Sequence, residues 1–271
     1  MAAGPPPLSN ERVPGSIVGS RYLNRHFVRV TLDAPDIGRL DLPTEPDTAV
    51  GFYFGTGDSA PGRTYTVRQD PREHARLAVD ILLHGDGVGT AWVNRATAGD
   101  EVALAHANSW YRPPPATDWQ LLVADMAGLP ALARILEKPP IIPTTVVVDV
   151  LDDALDYVPH WHDVAVVPAP DGAVTRTVRA HTSARGLGYC WFAGEAGDAR
   201  AVRKHLRREL HWESSRLDVM GYWRRNSADW DNRFAETGAD LYSVYTRAMD
   251  AGKSPKDAME EFDEALERAG L

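Results

Sequence analysis

The sequence predicts an antiparallel β domain followed by an α/β domain with a parallel sheet, and then a short helical extension. Three observations lead to this prediction. Short runs of alternating apolar residues fill positions 16–102, a proline-rich stretch follows at 112–116, and continuous apolar runs then alternate with helical segments. Alternation with period two is typical of half-buried antiparallel strands, whereas continuous apolar runs are typical of strands buried on both faces. A chain of 271 residues is long enough for two such domains.

The β domain is assigned to residues 17–115. The residues before it, 1–16, are rich in Pro, Gly and Asn and predict a flexible leader. The predicted strands are SIVGSRYL, HFVRVTL, AVGFYF, RTYTVR, LAVDILLH and DEVAL. Gly, Asp and Pro between them favour short turns. Several closely spaced strands of this kind favour a barrel or a sandwich.

The α/β domain is assigned to residues 116–230, because the proline-rich stretch fits neither a helix interior nor a central strand. WQLLVAD (119–125) and TTVVVDV (144–150) are predicted strands on either side of a helix at 129–137, which is a βαβ unit. YCWFA (189–193), a helix at 198–210 and a strand at 216–220 repeat the pattern.

The remaining residues, 231–271, predict two amphipathic helices that pack on the body of the protein or on a partner chain. Apolar residues share one face of each helix: Leu241, Val244, Tyr245 and Ala248 in the first, and Ala258, Phe262 and Leu266 in the second. Ser254 and Pro255 are typical of an N-cap and of the first residue of a helix.

Composition argues against several classes of protein. The 38 acidic and 29 basic residues give a net charge of −9, which does not suit a general nucleic-acid binder. No apolar run approaches the ~20 residues that cross a bilayer, and the N-terminus lacks the apolar core of a secretory signal. The single cysteine, Cys190, excludes an intramolecular disulfide. We therefore expect a cytoplasmic protein without membrane insertion and predict no metal ligand.

The segment RTYTVR at 63–68 alternates cationic, aromatic and hydroxyl side chains along one predicted strand. Arg63, Tyr65 and Val67 would share one face of that strand. Such a face suits a flat, phosphorylated ligand, because Tyr65 can stack on a ring and Arg63 can meet a phosphate. Backbone groups of Thr66 or Val67 could bond the edge of the ring. An exposed strand with alternating charge is the alternative.

Downstream, His84 opens the segment HGDGVGTAW, in which glycines at 85, 87 and 89 precede a predicted helix. Glycines let backbone N–H groups approach an anion, and a helix N-terminus adds its partial positive charge. The segment is a candidate pyrophosphate cradle. An ordinary glycine-rich turn is the alternative.

Taken together and in order, these segments resemble the siderophore-interacting protein family, FAD-dependent ferric-siderophore reductases of the ferredoxin-reductase superfamily. The matching segments are RTYTVR, LAVDILLHGDGVGTAW, AGDEV, LPALARIL, WFAGE, AVRKHLRRE and GYWRR, which span most of residues 16–225. The resemblance implies a six-stranded antiparallel FAD-binding β-barrel followed by a parallel-sheet α/β domain that binds a nicotinamide nucleotide.

The resemblance also implies roles for individual residues. The flavin would be held by Arg63, Tyr65, Thr66 and Val67, with His84 at the cofactor and with Gly87, Gly89 and Thr90 at its pyrophosphate. Asp125 would lie on the nicotinamide side, opposite Ala193, Gly194 and Glu195. The chain departs from the family's pattern at 124–127, where ADMA replaces Gly-Asp-Glu-Thr, and at 106–110, where HANSW replaces Gly-Pro-Arg-Gly-Ser.

Acidic residues follow the second α/β strand, where an adenosine ribose would lie: Asp149, Asp152 and Asp153. Carboxylates accept hydrogen bonds from a free 2′-hydroxyl and repel a 2′-phosphate. If a nicotinamide cofactor binds, we expect NADH to be preferred over NADPH. The alternative is that these acids only solvate a loop.

The densest basic region comprises Arg203, Lys204, Arg207 and Arg208 on one predicted helix, together with Arg224 and Arg225. Positive charge concentrates anionic ligands, and ferric siderophores are often anionic. Lys204, Arg207 and Arg224 are therefore candidate ligands of a ferric siderophore. A solvated helix face is the alternative.

We expect a flavoenzyme that passes electrons from NADH through FAD to siderophore-bound Fe(III). The flavin itself would carry out this electron transfer, so we assign no residue as a catalytic acid or base. Two alternatives stay open. The same flavoprotein could be reduced by ferredoxin, which the loss of an acid and a hydroxyl at 124–127 favours, or the protein could bind siderophores without turnover.

Overall fold

The computed structural model describes residues 11–57, 60–74, 76–85, 87–170, 172–182, 185–225, 234 and 241–270. Six antiparallel strands form a closed barrel in the order β1-β2-β5-β4-β3-β6. The strands are β1 (Arg12–Tyr22), β2 (Phe27–Asp33), β3 (Ala49–Tyr53), β4 (Gly62–Gln69), β5 (Leu77–Leu82) and β6 (Glu101–Asn108). Two short helices, α1 (Pro71–His74) and α2 (Val88–Val93), lie between them along the chain. The six-stranded barrel that the resemblance implied is confirmed.

The barrel begins earlier than the sequence predicted, because β1 starts at Arg12 inside the expected 1–16 leader. Pro14 lies in this early part, where β1 pairs only with β6, whereas the pairing with β2 begins at Ser16. A proline lacks a backbone N–H, and it is tolerated there because the side of β1 away from β6 is not yet paired with another strand. Residues 1–10 of the predicted leader lie outside the described residues.

A five-stranded parallel sheet in the order β11-β10-β7-β8-β9 forms the second domain. Its elements are β7 (Trp119–Asp125), α3 (Leu129–Ile135), β8 (Thr144–Asp149), β9 (Val164–Pro168), α4 (Val174–His181), β10 (Gly188–Glu195), α5 (Ala196–Lys204) and β11 (Leu217–Trp223). The sequence analysis did not predict β9 or α4. β9 (VAVVP) is an apolar run of five residues at the edge of the sheet, and α4 buries Val174 and Val178, so both are shorter or less buried than the runs on which the prediction relied. The helix predicted at 198–210 ends at Lys204 and continues as one π-helical turn.

A buried carboxylate joins the two domains. Asp80 on β5 is 2% exposed and accepts two hydrogen bonds from Arg29, at 2.7 and 2.8 Å. Arg68 on β4 lies 3.3 Å from the same carboxylate. Tyr157, from a 3-10 segment of the α/β domain, donates its hydroxyl to Asp80 and stacks on Phe27, with ring centroids 4.6 Å apart. Charged groups that are buried away from water are stable only when they are paired.

The linker between the domains is held by a second buried acid. Asp47, which precedes β3, accepts hydrogen bonds from the backbone N–H groups of Trp110 and Tyr111, at 3.0 and 2.8 Å. It also accepts one from the indole of Trp191 on β10, at 3.0 Å. One side chain therefore connects the barrel, the linker and the central region of the parallel sheet.

The C-terminal extension contains α6 (241–250) and α7 (Pro255–Arg268). As predicted, Ser254 caps α7 by accepting from the Asp257 N–H, and Pro255 takes the first helical position. Acidic residues of α7 pair with the basic residues of α5 and its π-helical turn: Arg203 with Asp263, Lys204 with Glu267, Arg207 with Glu260 and Asp257, and Arg208 with Glu264. No helix in the described part of the chain is long and apolar enough to cross a membrane.

Replacing Asp80 by Ala leaves the largely buried guanidinium of Arg29 without its counter-charge. It also removes the carboxylate that lies beside Arg68. We expect a loss of about 3–5 kcal/mol in the free energy of unfolding, measured by urea denaturation. Asp163→Asn, which removes an exposed carboxylate paired with His162, is the matched control and should leave the midpoint unchanged. Equal midpoints for both variants would contradict the role given to Asp80.

Candidate functional site

The barrel side of the site is built around Tyr65 on β4. Its ring packs edge-on against Phe52, with centroids 5.8 Å apart, and burial raises the pKa of its phenol. A Cβ atom built on Gly89 would lie 2.3 Å from the Tyr65 hydroxyl oxygen, so only glycine fits at that position. This contact brings the glycine-rich segment onto the RTYTVR strand.

The loop that leads into α2 is closed by its own hydroxyl group. Thr90 accepts a hydrogen bond from the His84 N–H at 3.0 Å, and a Cβ atom on Gly87 would lie 2.7 Å from the His84 ring. Gly85 has a φ of +39°, which favours glycine. The helix then starts at Val88 without a side-chain cap. The N-cap residue is Gly87, so the capping position itself supplies no side-chain acceptor to the first-turn N–H groups.

The other residues of β4 divide between the core and the surface. Thr66 and Val67 are buried, whereas Arg63 is exposed and donates to the Gly62 carbonyl at 2.7 Å. The Val67 N–H donates to the Thr48 carbonyl at 2.8 Å. That amide is therefore used by the barrel itself.

The α/β side of the site lies at the carboxyl end of β7. Asp125 accepts hydrogen bonds from the Ala127 N–H at 2.8 Å, the Gly128 N–H at 3.1 Å and the Trp223 indole at 2.5 Å. Burial outweighs these three donors and raises the pKa of Asp125 to about 6. The turn at 124–127 is thus closed by Asp125 itself, although it lacks the acid and hydroxyl expected from the family.

Glycines let the ends of β7 and β10 come together. A Cβ atom on Gly128 would lie 2.1 Å from the Ala193 carbonyl oxygen, and one on Gly194 would lie 2.9 Å from an Asp125 carboxylate oxygen. Glu195 is buried and caps α5 by accepting from the N–H groups of Gly197 and Asp198, at 2.6 and 3.1 Å. The structure therefore brings Asp125, Ala193, Gly194 and Glu195 to one edge, where Glu195 has a structural task.

The barrel and the sheet edge meet at β4. Arg68 donates a hydrogen bond to the Pro130 carbonyl, in the first turn of α3, at 3.1 Å. It also pairs with Glu137 just beyond α3, at 3.2 Å. Because α3 follows the Asp125 turn directly, the RTYTVR strand lies beside the carboxyl edge of the sheet. Ligands of open α/β sheets bind at this edge.

The predicted siderophore ligands are not brought together. Lys204 and Arg207 lie at the far end of α5, which starts at the carboxyl edge and runs away from it. Lys204 pairs with Glu267 at 3.1 Å and Arg207 with Glu260 at 2.9 Å, so α7 neutralises both. Arg224 follows β11 and is the predicted ligand that stays at the carboxyl edge.

The acidic residues after β8, which we expected beside an adenosine ribose, have different surroundings in the structure. Asp153 pairs with Arg25 at 2.5 Å and with His26 at 3.0 Å, both in the turn between β1 and β2. Its carboxylate therefore connects the domains. Asp149, at the end of β8, lies close enough to Asp125 for its charge to contribute to the raised pKa of that carboxyl.

An antiparallel barrel with a glycine-built loop, placed against the carboxyl edge of a parallel sheet, is the two-domain fold of the ferredoxin-reductase-like proteins. Residues 20–109 match the model of the siderophore-interacting FAD-binding domain, and residues 117–226 match that of the siderophore-interacting protein. The chain belongs to the siderophore-interacting protein family.

Known proteins resemble the chain over most of its length. The ferric vibriobactin reductase of Vibrio cholerae is 26% identical over 252 residues, covering 77% of this chain and 88% of that protein. The NADPH-dependent ferric-chelate reductase of Escherichia coli is 28% identical over 193 residues, covering 65% and 71%. The siderophore-interacting protein of Acinetobacter baumannii has the same fold, with a TM-score of 0.73, 21% identity, and coverage of 86% and 99%.

The raised pKa of Asp125 makes the stability of the protein depend on pH. The folded state holds the Asp125 proton more tightly than the unfolded state, so this contribution is greatest near pH 4 and is lost as the pH rises through about 6. Asp125→Asn should therefore lose less stability than the wild type between pH 4.5 and 7.5, measured by urea unfolding. Asp163→Asn should keep the wild-type slope, and the same slope in Asp125→Asn would contradict the assignment.

Proposed function

We propose that the protein is a ferric-siderophore reductase that passes electrons from NADH through FAD to siderophore-bound Fe(III). The observation that carries this proposal is the contact of Gly89 with Tyr65, because it forms a glycine-built cradle beside the sheet edge that ends in Asp125. The match to a FAD-binding domain over residues 20–109 and the names of the two reductases support it.

The residues present fit FAD. Tyr65 and Gly89 would hold the cofactor between strand and loop, Thr90 would keep the loop closed, and Arg63 is exposed where a phosphate would lie. When bound, FAD converts a two-electron hydride donor into a one-electron reductant. Each NADH oxidised to NAD⁺ then reduces two Fe(III) ions to Fe(II) and releases one proton. The chain's own residues orient the reactants and exclude water.

Recognition of the ferric siderophore is assigned to the carboxyl edge of the sheet. Arg224 and Arg225 follow Trp223 there, and the Arg225 N–H donates to Glu195 at 3.2 Å, which fixes the path of the chain. Lys204 and Arg207, the other candidates, are paired with α7. Arg224 instead follows β11 at the carboxyl edge, and because of this position we assign attraction of an anionic chelate mainly to Arg224.

The electron donor is proposed to be NADH, although the E. coli relative is named as NADPH-dependent. We assign this preference to Asp149 because it ends β8 at the carboxyl edge of the sheet. Replacing Asp149 by Asn removes the charge that repels a 2′-phosphate, so kcat/KM with NADPH should rise about tenfold relative to NADH. Steady-state assays with both donors measure this ratio. Asp163→Asn is the control, and an unchanged ratio in Asp149→Asn would show that another residue selects the donor.

The central test loads the protein with FAD and mixes it anaerobically with NADH, while a dye traps Fe(II) from a ferric siderophore. Flavin bleaching followed by Fe(II) release is the expected result. Bleaching with reduced ferredoxin but not with NADH would instead support ferredoxin as donor. Binding of the siderophore without any Fe(II) would identify a binding protein.

The cradle itself is tested by Gly89→Ala, which places a methyl group against the Tyr65 hydroxyl. We expect the affinity for FAD to fall at least tenfold, measured by titrating the apo-protein and following flavin fluorescence. Gly38→Ala, where a Cβ atom meets nothing within 4 Å, is the matched control and should bind FAD normally. Normal FAD binding by Gly89→Ala would refute this cradle.

A further inference from the structure

Tyr222 occupies an irregular position at the carboxyl edge of the sheet. Gly194 of β10 pairs with Gly221 and Glu195 pairs with Trp223, so Tyr222 is an extra residue in β11. Such a bulge changes the direction of side chains and is common beside active sites. Trp223 reaches across to Asp125, whereas the Tyr222 ring packs near Trp110 of the domain linker, with centroids 6.1 Å apart.

The hydroxyl of Tyr222 is buried and has no hydrogen-bond partner among the residues that the structure describes. A buried phenol without a partner is unfavourable, so its presence calls for an acceptor other than the residues that the structure describes. Sequence reasoning did not select this residue, because a tyrosine in GYWRR gives no sign of where its hydroxyl points.

The neighbouring charges indicate what kind of acceptor this is. Burial, and after it the charges of Asp47 and Asp125, raise the pKa of Tyr222 well above its usual value. The phenol therefore stays protonated and can donate. Each carboxylate already accepts three hydrogen bonds from other groups. Two flanking carboxylates also repel an anion, so a neutral carbonyl or ring nitrogen suits this place better than a phosphate.

This position lies between the two halves of the site. Asp47 is next to Thr48, whose carbonyl accepts the Val67 N–H of β4, and Asp125 ends β7. We propose that the Tyr222 hydroxyl is a hydrogen-bond donor to a neutral acceptor atom of the flavin ring. The inference rests on the FAD binding proposed above. It adds a residue of the α/β domain to the residues proposed to hold FAD, which otherwise belong to the barrel.

The test compares Tyr222→Phe with the wild type, because this change removes the hydroxyl and keeps the ring. Apo-protein melting should be unchanged or higher in Tyr222→Phe, since the variant loses an unsatisfied group. Its affinity for FAD should fall about five- to tenfold, and the flavin midpoint potential should become more negative, because one donor to the reduced ring is lost. Tyr242→Phe is the matched control: that hydroxyl is also buried without a partner, but it lies on α6.

The outcomes separate the two proposals. If the wild type takes up no FAD, the proposed function fails and this inference fails with it. If the wild type and Tyr242→Phe bind FAD and Tyr222→Phe binds it equally well at the same potential, the inference alone is overturned. A lower apo melting temperature in Tyr222→Phe with unchanged FAD affinity would show a structural residue and would also overturn it.

Discussion

The buried carboxylate of Asp80 is the interaction on which the relation of the two domains depends. It draws Arg29 and Arg68 inward from the barrel and accepts a hydroxyl from Tyr157 of the α/β domain. Charged groups that are buried between domains are stable only when their partners are held at the right distances and angles. This cluster therefore specifies how the domains meet. The position of β4 beside the sheet edge follows from it, because Arg68 also bonds α3.

The site itself is shaped by close approaches that only glycine permits. Gly89 meets the Tyr65 hydroxyl, Gly128 meets the Ala193 carbonyl, and Gly194 meets Asp125. These contacts bring loop to strand and strand to strand more closely than any side chain would allow.

The charged residues of α5 illustrate how tertiary pairing changes the meaning of a sequence pattern. In the sequence, the basic helix is the densest positive region of an acidic chain. In the structure, α7 covers it with acids that lie 50 to 63 residues further along. Arg224 and Arg225 lie elsewhere, after β11 at the carboxyl edge of the sheet.

By itself the sequence determined the antiparallel strands, the parallel sheet and the Ser254 cap, because these depend on local periodicity, turn residues and short spacings. The closing of the strands into a six-stranded barrel was implied only by the resemblance to the siderophore-interacting protein family. The sequence could not determine that β1 begins at Arg12, that Asp153 faces Arg25, or that a bulge changes the direction of Tyr222. Those features depend on contacts between residues far apart in the chain. Only the packing of barrel against sheet decided which acids, cations and hydroxyls meet at the site.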